Sequence, residues 1–300
     1  MRILITGGEG QVGWELRQQL TGAGEVVAVG RAELDLTQPT AISDFVRQYK
    51  PEIIINAAAY TAVDRAESEV AIAHAVNAEA PGVLAIEAQR LGALLVHYST
   101  DYVFSGNASS PYRESDPVSP MSVYARSKEE GERRVRAAGG RHLILRTAWV
   151  YGTRGKNFML TMLRLAAERD RLRVVGDQVG SPTWSWQIAE TTIRLIERTG
   201  TAPVAETMNL TAGGQTSWHG FASKIGERGA GLGLCPLIPV DAISTADYPT
   251  PARRPAYSVL AGDRLRERFG LSLPDWEISL DRCLGELAAG RAGAGFVHGT

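Results

Sequence analysis

The sequence predicts a doubly wound α/β fold, a parallel sheet wrapped by helices, with a smaller and looser C-terminal region. Three observations carry this. The chain opens on a β-branched strand that runs into a glycine-rich loop and then into a helix. Strand and helix patterns alternate through the first 150 residues, which implies a parallel sheet with right-handed crossovers. At 300 residues the chain exceeds the ~100–150 residues usual for one domain, leaving room for a core domain and an appendage.

Arg2–Thr6 is the first strand, and Gln11–Leu20 the helix after the glycine loop. Glu25–Val29 is the next strand and Thr40–Tyr49 the next helix. Pro51 and Glu52 introduce the apolar strand Ile53–Asn56. A long helical segment covers Val70–Arg90, followed by strand Ala93–Tyr98, helix Ser122–Ala137 and strand Arg141–Arg146. Beyond residue 150 the rhythm loosens. Asn157–Glu168 and Gln187–Arg198 are helical, while Thr199–Pro203 and Glu227–Pro239 are rich in Gly and Pro. We therefore expect a cofactor-binding core over 1–150 and a mixed region over 151–290. The latter is mainly a substrate-binding cap with some segments returning to the core. Residues 291–300 lack periodicity and are expected to fray.

Composition excludes several classes. A net charge of −1 provides no field to recruit nucleic acid or an anionic membrane. The two cysteines, Cys235 and Cys283, have no zinc-site spacing and cannot make a disulfide-dense scaffold. No apolar run approaches the ~20 residues of a membrane span. The first residues run straight into a strand with no signal peptide pattern, so a soluble, cytoplasmic protein is expected.

Gly7, Gly10 and Gly13 are spaced GxxGxxG between strand and helix. The first permits a tight turn, the second lets backbone approach a pyrophosphate at the helix N-terminus, and the third allows close helix–strand packing. A dinucleotide is the expected ligand, with Gln11 and Val12 in the same loop. At the end of the second strand, where an acid would bind a ribose 2′-hydroxyl, the chain carries Arg31. A guanidinium suits a 2′-phosphate, which favours NADPH with NADH tolerated. Asp35 and Leu36 are placed to flank the adenine.

Tyr124 and Lys128 form YxxxK, one helical turn apart on one face. An ammonium beside a phenol favours phenolate and is expected to bring its pKa toward neutrality. Ser99, Thr100 and Asp101 follow the fourth strand, at the edge where ligands of such sheets bind, and Thr100 can hydrogen-bond a substrate oxygen beside the tyrosine.

These residues resemble the extended short-chain dehydrogenase/reductases, whose core is the Rossmann-type sheet, and more narrowly the dTDP-4-dehydrorhamnose reductase family. Further residues carrying the likeness are Asn56 to Asp64, Val76-Asn77, Thr100 to Phe104, Arg146 to Gly152, Pro182-Thr183 and Arg254-Pro255. The resemblance spans roughly residues 2–280. It implies reduction of the C4 ketone of dTDP-6-deoxy-L-lyxo-4-hexulose to dTDP-L-rhamnose, a precursor of cell-wall polysaccharide. It makes Thr100, Tyr124 and Lys128 catalytic, and places Ala57, Ala58, Tyr60 and Asn77 on the cofactor. Asp101, Val103, Phe104 and Trp149 would meet the sugar, and Arg254 the substrate's diphosphate. Trp149 is expected to offer an indole face as a wall of the sugar pocket. Some members dimerise around magnesium held by glutamates; Glu15 is then a candidate ligand, although a helix-surface glutamate is its simpler reading. Ser105 stands where the family usually has Asp, Ala125 where Gly follows the tyrosine, and Ala261 in place of a common acid. Alternatives are an epimerase or 4,6-dehydratase of the same fold, or a non-catalytic regulatory binding subunit. A dehydratase needs Asp-Glu after the threonine, whereas Tyr102 follows Asp101 here.

Overall fold

The structure is a computed structural model and describes residues 1–295. The first half contains β1 (Arg2–Thr6), α1 (Gln11–Gln19), β2 (Glu25–Val29), α2 (Pro39–Tyr49), β3 (Ile53–Asn56), α3 (Val63–Ala66), α4 (Val70–His74), a π-helical turn (Ala75–Glu79), α5 (Ala80–Leu91), β4 (Leu94–Thr100), α6 (Val123–Ala137) and β5 (His142–Thr147). The second half contains β6 (Val150–Tyr151), α7 (Phe158–Glu168), β7 (Leu172–Val175), β8 (Val179–Gly180), β9 (Thr183–Trp184), α8 (Ser185–Thr199), β10 (Ala205–Asn209), β11 (Thr216–Ser217), α9 (Trp218–Gly231), β12 (Val240–Ile243), α10 (Asp263–Phe269) and α11 (Trp276–Gly295).

Six strands form one parallel sheet in the order β10-β5-β4-β3-β1-β2. Its central strands are buried throughout, IIIN in β3 and LLVHYST in β4, as a sheet covered on both faces requires. Alternate residues feed two cores. Ile3, Ile5, Ile55 and Val96 pack with Leu16 of α1 and Ile188 and Leu195 of α8. Leu4, Ile54 and Leu95 pack on the other face with Ile42 and Val46 of α2 and Leu84 of α5. A third core, around Tyr151, Trp184, Phe221 and Leu284, holds the C-terminal region together.

The structure adds detail to the sequence reading. The segment Val70–Arg90 is not one helix, because a π-helical turn at Ala75–Glu79 interrupts it. A sixth sheet strand, β10, comes from beyond residue 150; its sequence AETMN lacks the β-branched pattern, and pairing with β5 makes it a strand. The Gly-rich stretch from Glu227 begins inside α9, which continues to Gly231. The expected frayed tail overlaps α11 as far as Gly295, and its remainder lies outside the described residues. Among the described residues no helix is long and apolar enough to cross a membrane.

The π-helical turn meets α6 at Gly131, where a Cβ would lie 2.2 Å from the Asn77 carbonyl oxygen. Gly131→Ala must push α6 away, so we expect a loss of about 1–3 kcal/mol, the usual overpacking cost. Gly226 lies inside α9 with nothing within 4 Å of its Cβ position. Gly226→Ala should instead gain up to ~1 kcal/mol from helix propensity. Urea denaturation of both variants checks this, and equal effects would contradict the packing argument.

Candidate active site

β2 lies on one side of β1 and β3 on the other, so the crossovers part there. Open α/β sheets hold ligands at such a switch point, and a cleft of about 600 Å³ opens at it. Gly7 turns the chain with φ of 70°, and a Cβ there would lie 2.7 Å from the Ala58 backbone. At Gly13 a Cβ would lie 2.1 Å from the Gly7 carbonyl oxygen. Gly13 therefore serves packing and does not face the cleft, whereas Gly7, Gly10, Gln11 and Val12 line it. Gly10 caps α1 with no side chain on the first N–H groups, which leaves that helix end open to an anion.

Arg31, Asp35 and Leu36 line one end of the cleft, and Ala57, Ala58 and Tyr60 its floor. The Arg31 side chain is 79% exposed and only 3.9 Å from Asp35, so it is available to a ligand. Carboxylates also gather there: Glu33 accepts from the Gly30 N–H at 2.8 Å, and Glu9 packs against Gly30. Asn77 is fully buried and faces no cleft. Its Oδ1 accepts from the Tyr60 N–H at 2.8 Å, and its Nδ2 donates to the Tyr60 carbonyl and to Ser127 Oγ, both at 3.0 Å. It ties the cleft floor to α6.

Ser122 caps α6, its Oγ accepting from the Ala125 N–H at 3.2 Å. Tyr124 and Lys128 then project into the cleft. Lower on the helix, Glu132 receives two hydrogen bonds from Arg146 of β5, at 2.9 and 2.7 Å, with both side chains buried. Lys128 is 2% exposed, and its Nζ donates to the Tyr98 carbonyl at 2.6 Å. Burial pulls its pKa down to about 8, against the attraction of Glu132. The expectation that Lys128 lowers the phenol pKa does not hold here. Burial raises Tyr124 to about 12, opposed by a hydrogen bond with Thr100 and reinforced by the charge of Asp101. The phenol is protonated at neutral pH, as a proton donor must be.

Thr100 ends β4 just behind Tyr124. Its hydroxyl donates to Asp101 Oδ1 at 2.9 Å and accepts from the Tyr102 N–H at 3.2 Å. Asp101 is buried, its Oδ2 has no partner among the described residues, and burial pushes its pKa up to about 6 despite hydrogen bonds from Ser258 and Thr100.

The residues expected on the sugar side have the following surroundings. Val103 and Phe104 are fully buried in a cluster with Tyr112 and Leu260, and the Arg146 guanidinium covers the Phe104 ring at 4.9 Å. Their side chains pack behind the site. Trp149 adopts φ of 47°, a strained conformation for a bulky residue. Trp218 stacks on its ring at 3.4 Å between centroids, and the Nε1 side of the indole lies against Gly180. The expected open indole wall is therefore already covered on one face. Arg254 makes a two-pronged ion pair with Asp64, at 2.9 and 2.8 Å, so a diphosphate must share it. Glu15 is buried on α1, not on the helix surface; burial and repulsion by Glu286 raise its pKa to about 7. Among the described residues no group of three or more His, Cys, Asp or Glu could hold a metal. Sequence reasoning passed over Ile72 and Lys156, both of which line the cleft. Neither sits in a motif.

A glycine-looped switch point with a Tyr–Lys pair at its edge, the lysine buried, defines an extended short-chain dehydrogenase/reductase. A family model described as "RmlD substrate binding domain" matches residues 1–289, and the chain belongs to this family. It is 48% identical to the dTDP-4-dehydrorhamnose reductase of Burkholderia thailandensis over 298 residues, covering 96% of this chain and 99% of that protein. Its fold matches the crystal structure of a dTDP-4-dehydrorhamnose reductase from Clostridium acetobutylicum with a TM-score of 0.90, at 39% identity over 96% and 99% of the two chains. It also matches the Bacillus anthracis dTDP-4-dehydrorhamnose reductase in complex with NADP, with a TM-score of 0.88, at 35% identity over 95% and 99%.

Asp101 gives a pH prediction. Its folded pKa lies above the ordinary value of 3.8, so its favourable contribution is full below pH ~4 and is lost as pH rises through ~6. Asp101→Asn keeps an acceptor for Thr100 without the charge. It should be more stable than the parent at pH 7, by on the order of 3 kcal/mol, with the gain vanishing near pH 4. Urea midpoints at both pH values check this; no gain at pH 7 would contradict it.

Proposed function

We propose that this chain is a dTDP-4-dehydrorhamnose reductase, reducing the C4 ketone of dTDP-6-deoxy-L-lyxo-4-hexulose to dTDP-L-rhamnose. The observation that carries the reading is the convergence of Tyr124, Lys128 and Thr100 beside the glycine-looped cleft. The full-length relatives of that name support it. The dehydratase alternative loses ground because Tyr102, edge-on to Tyr124 with ring centroids 6.0 Å apart, occupies the position where a dehydratase carries its glutamate.

The cleft fits a dinucleotide. The uncapped start of α1 and the close-packed glycines suit a pyrophosphate, and Arg31 suits a 2′-phosphate. When bound, NADPH supplies the hydride delivered to C4. Tyr124 gives its proton to O4, and burial keeps that proton in place until charge develops on the oxygen. Lys128, one helical turn away and cationic below pH ~8, offsets the phenolate left behind. Thr100 has one hydroxyl proton, at present committed to Asp101. It turns that proton toward O4 to hold the ketone. Asp101 and the uncovered part of Trp149 border the sugar, and Arg254 the substrate's diphosphate. In this division residues 1–150 hold mainly the cofactor and 151–290 mainly the nucleotide sugar. Glu9 and Glu33 beside Arg31 offer acceptors for an unphosphorylated ribose, so NADH is also used.

Tyr124→Phe should lower kcat by ~10²–10⁴-fold, the range for loss of a general acid, followed as NADPH absorbance with the keto-sugar. More than about a tenth of parental activity would contradict the role. Arg31→Ala should weaken NADPH by roughly tenfold or more, as loss of a charged hydrogen bond does, and leave NADH nearly unchanged. Equal losses measured by fluorescence titration would show that Arg31 does not read the 2′-phosphate.

A further inference from the structure

Lys156 is an exposed cation on the wall of the cleft, in no hydrogen bond or ion pair among the described residues. The loop that carries it is fixed to the first turns of α1. Asn157 Nδ2 donates to Gln11 Oε1 at 3.0 Å and to the Gly152 and Arg154 carbonyls at 2.9 and 3.1 Å. Its Oδ1 accepts from the Leu160 N–H at 3.0 Å, capping α7. A Cβ at Gly155 would lie 3.4 Å from Gln11 Cγ, and the Arg154 guanidinium stacks over Trp14 of α1 at 4.2 Å. With Arg154 spent on Trp14, Lys156 is the loop's unspent charge beside the uncapped start of α1.

We infer that Lys156 binds the pyrophosphate of the dinucleotide, clamping it against the glycine loop from the C-terminal side of the cleft. The helix end and the lysine present positive charge to one place from two sides. A pyrophosphate is the anion common to both cofactors there, whereas the 2′-phosphate belongs with Arg31 at the end of β2. The inference rests on the cofactor reading above.

Fluorescence titration of the full chain with NADPH and with NADH, sugar absent, tests it. Lys156→Ala should weaken both cofactors by a similar factor, about fivefold to tenfold for an exposed charge-assisted contact, and the difference should shrink as salt is raised. Lys156→Arg should restore most of the affinity. Lys224→Ala, which removes a surface lysine paired with Glu227 and Glu277, should not change it. Unchanged affinity in Lys156→Ala, a loss confined to NADPH, or a change only in the KM for the keto-sugar would each overturn the assignment. If the parent chain binds neither cofactor, the cofactor reading itself fails, an outcome visible before any variant is made.

Discussion

The position of α6 is the constraint on which the site depends, and the buried Glu132–Arg146 pair sets it. Two short hydrogen bonds join the helix to β5 with both side chains out of water. Removing one member would strand a buried charge, at a cost of about 3–5 kcal/mol. The same helix is held higher up by Ser127 on Asn77 and by Glu67, which accepts from the Val123 N–H at 2.8 Å. Gly131 lets it approach the π-helical turn. Tyr124 and Lys128 therefore have little freedom to shift along β4, and the distance from phenol to cleft is a property of the whole sheet.

A second polar tie runs beneath the cleft. Thr6, Asn56 and His97 stand in register on β1, β3 and β4. Thr6 donates to Asn56 Oδ1 at 2.6 Å, and Asn56 Nδ2 lies 3.0 Å from His97 Nδ1. Because the Asn56 oxygen is taken by Thr6, its amide donates and His97 Nδ1 accepts. Burial, reinforced by the charge of Lys128, holds the imidazole pKa well below its ordinary value. The strand ends that carry the glycine loop and Thr100 are thereby joined side to side, which keeps the ligand edge rigid.

The strands, the glycine loop and the Tyr–Lys pair were legible because their signals are local. β-branched runs bounded by turns marked β1, β2 and β3, and GxxGxxG and YxxxK each act within a few residues. What sequence missed is set by tertiary contact. β10 is a strand because β5 offers it an edge, and the π-helical turn exists where Asn77 must reach both Tyr60 and Ser127. The phenol pKa turned out opposite to expectation because spacing along a helix says nothing about burial, and here Lys128 is drawn to the Tyr98 carbonyl. Among the residues carried over from the family, the buried side chains of Val103, Phe104 and Asn77 border the site from behind. Lys156 had no motif to announce it, since only the folding of its loop onto α1 brings it to the cleft.

The central claim is that this edge delivers hydride to C4 and a proton to O4 of a nucleotide-linked keto-sugar. Incubation with dTDP-6-deoxy-L-lyxo-4-hexulose and NADPH deuterated at the transferable C4 position of the nicotinamide, followed by NMR of the product, tests it most directly. One deuterium at C4 of dTDP-L-rhamnose is the predicted result. Deuterium elsewhere on the sugar, or NADPH consumed with no label at C4, would contradict it.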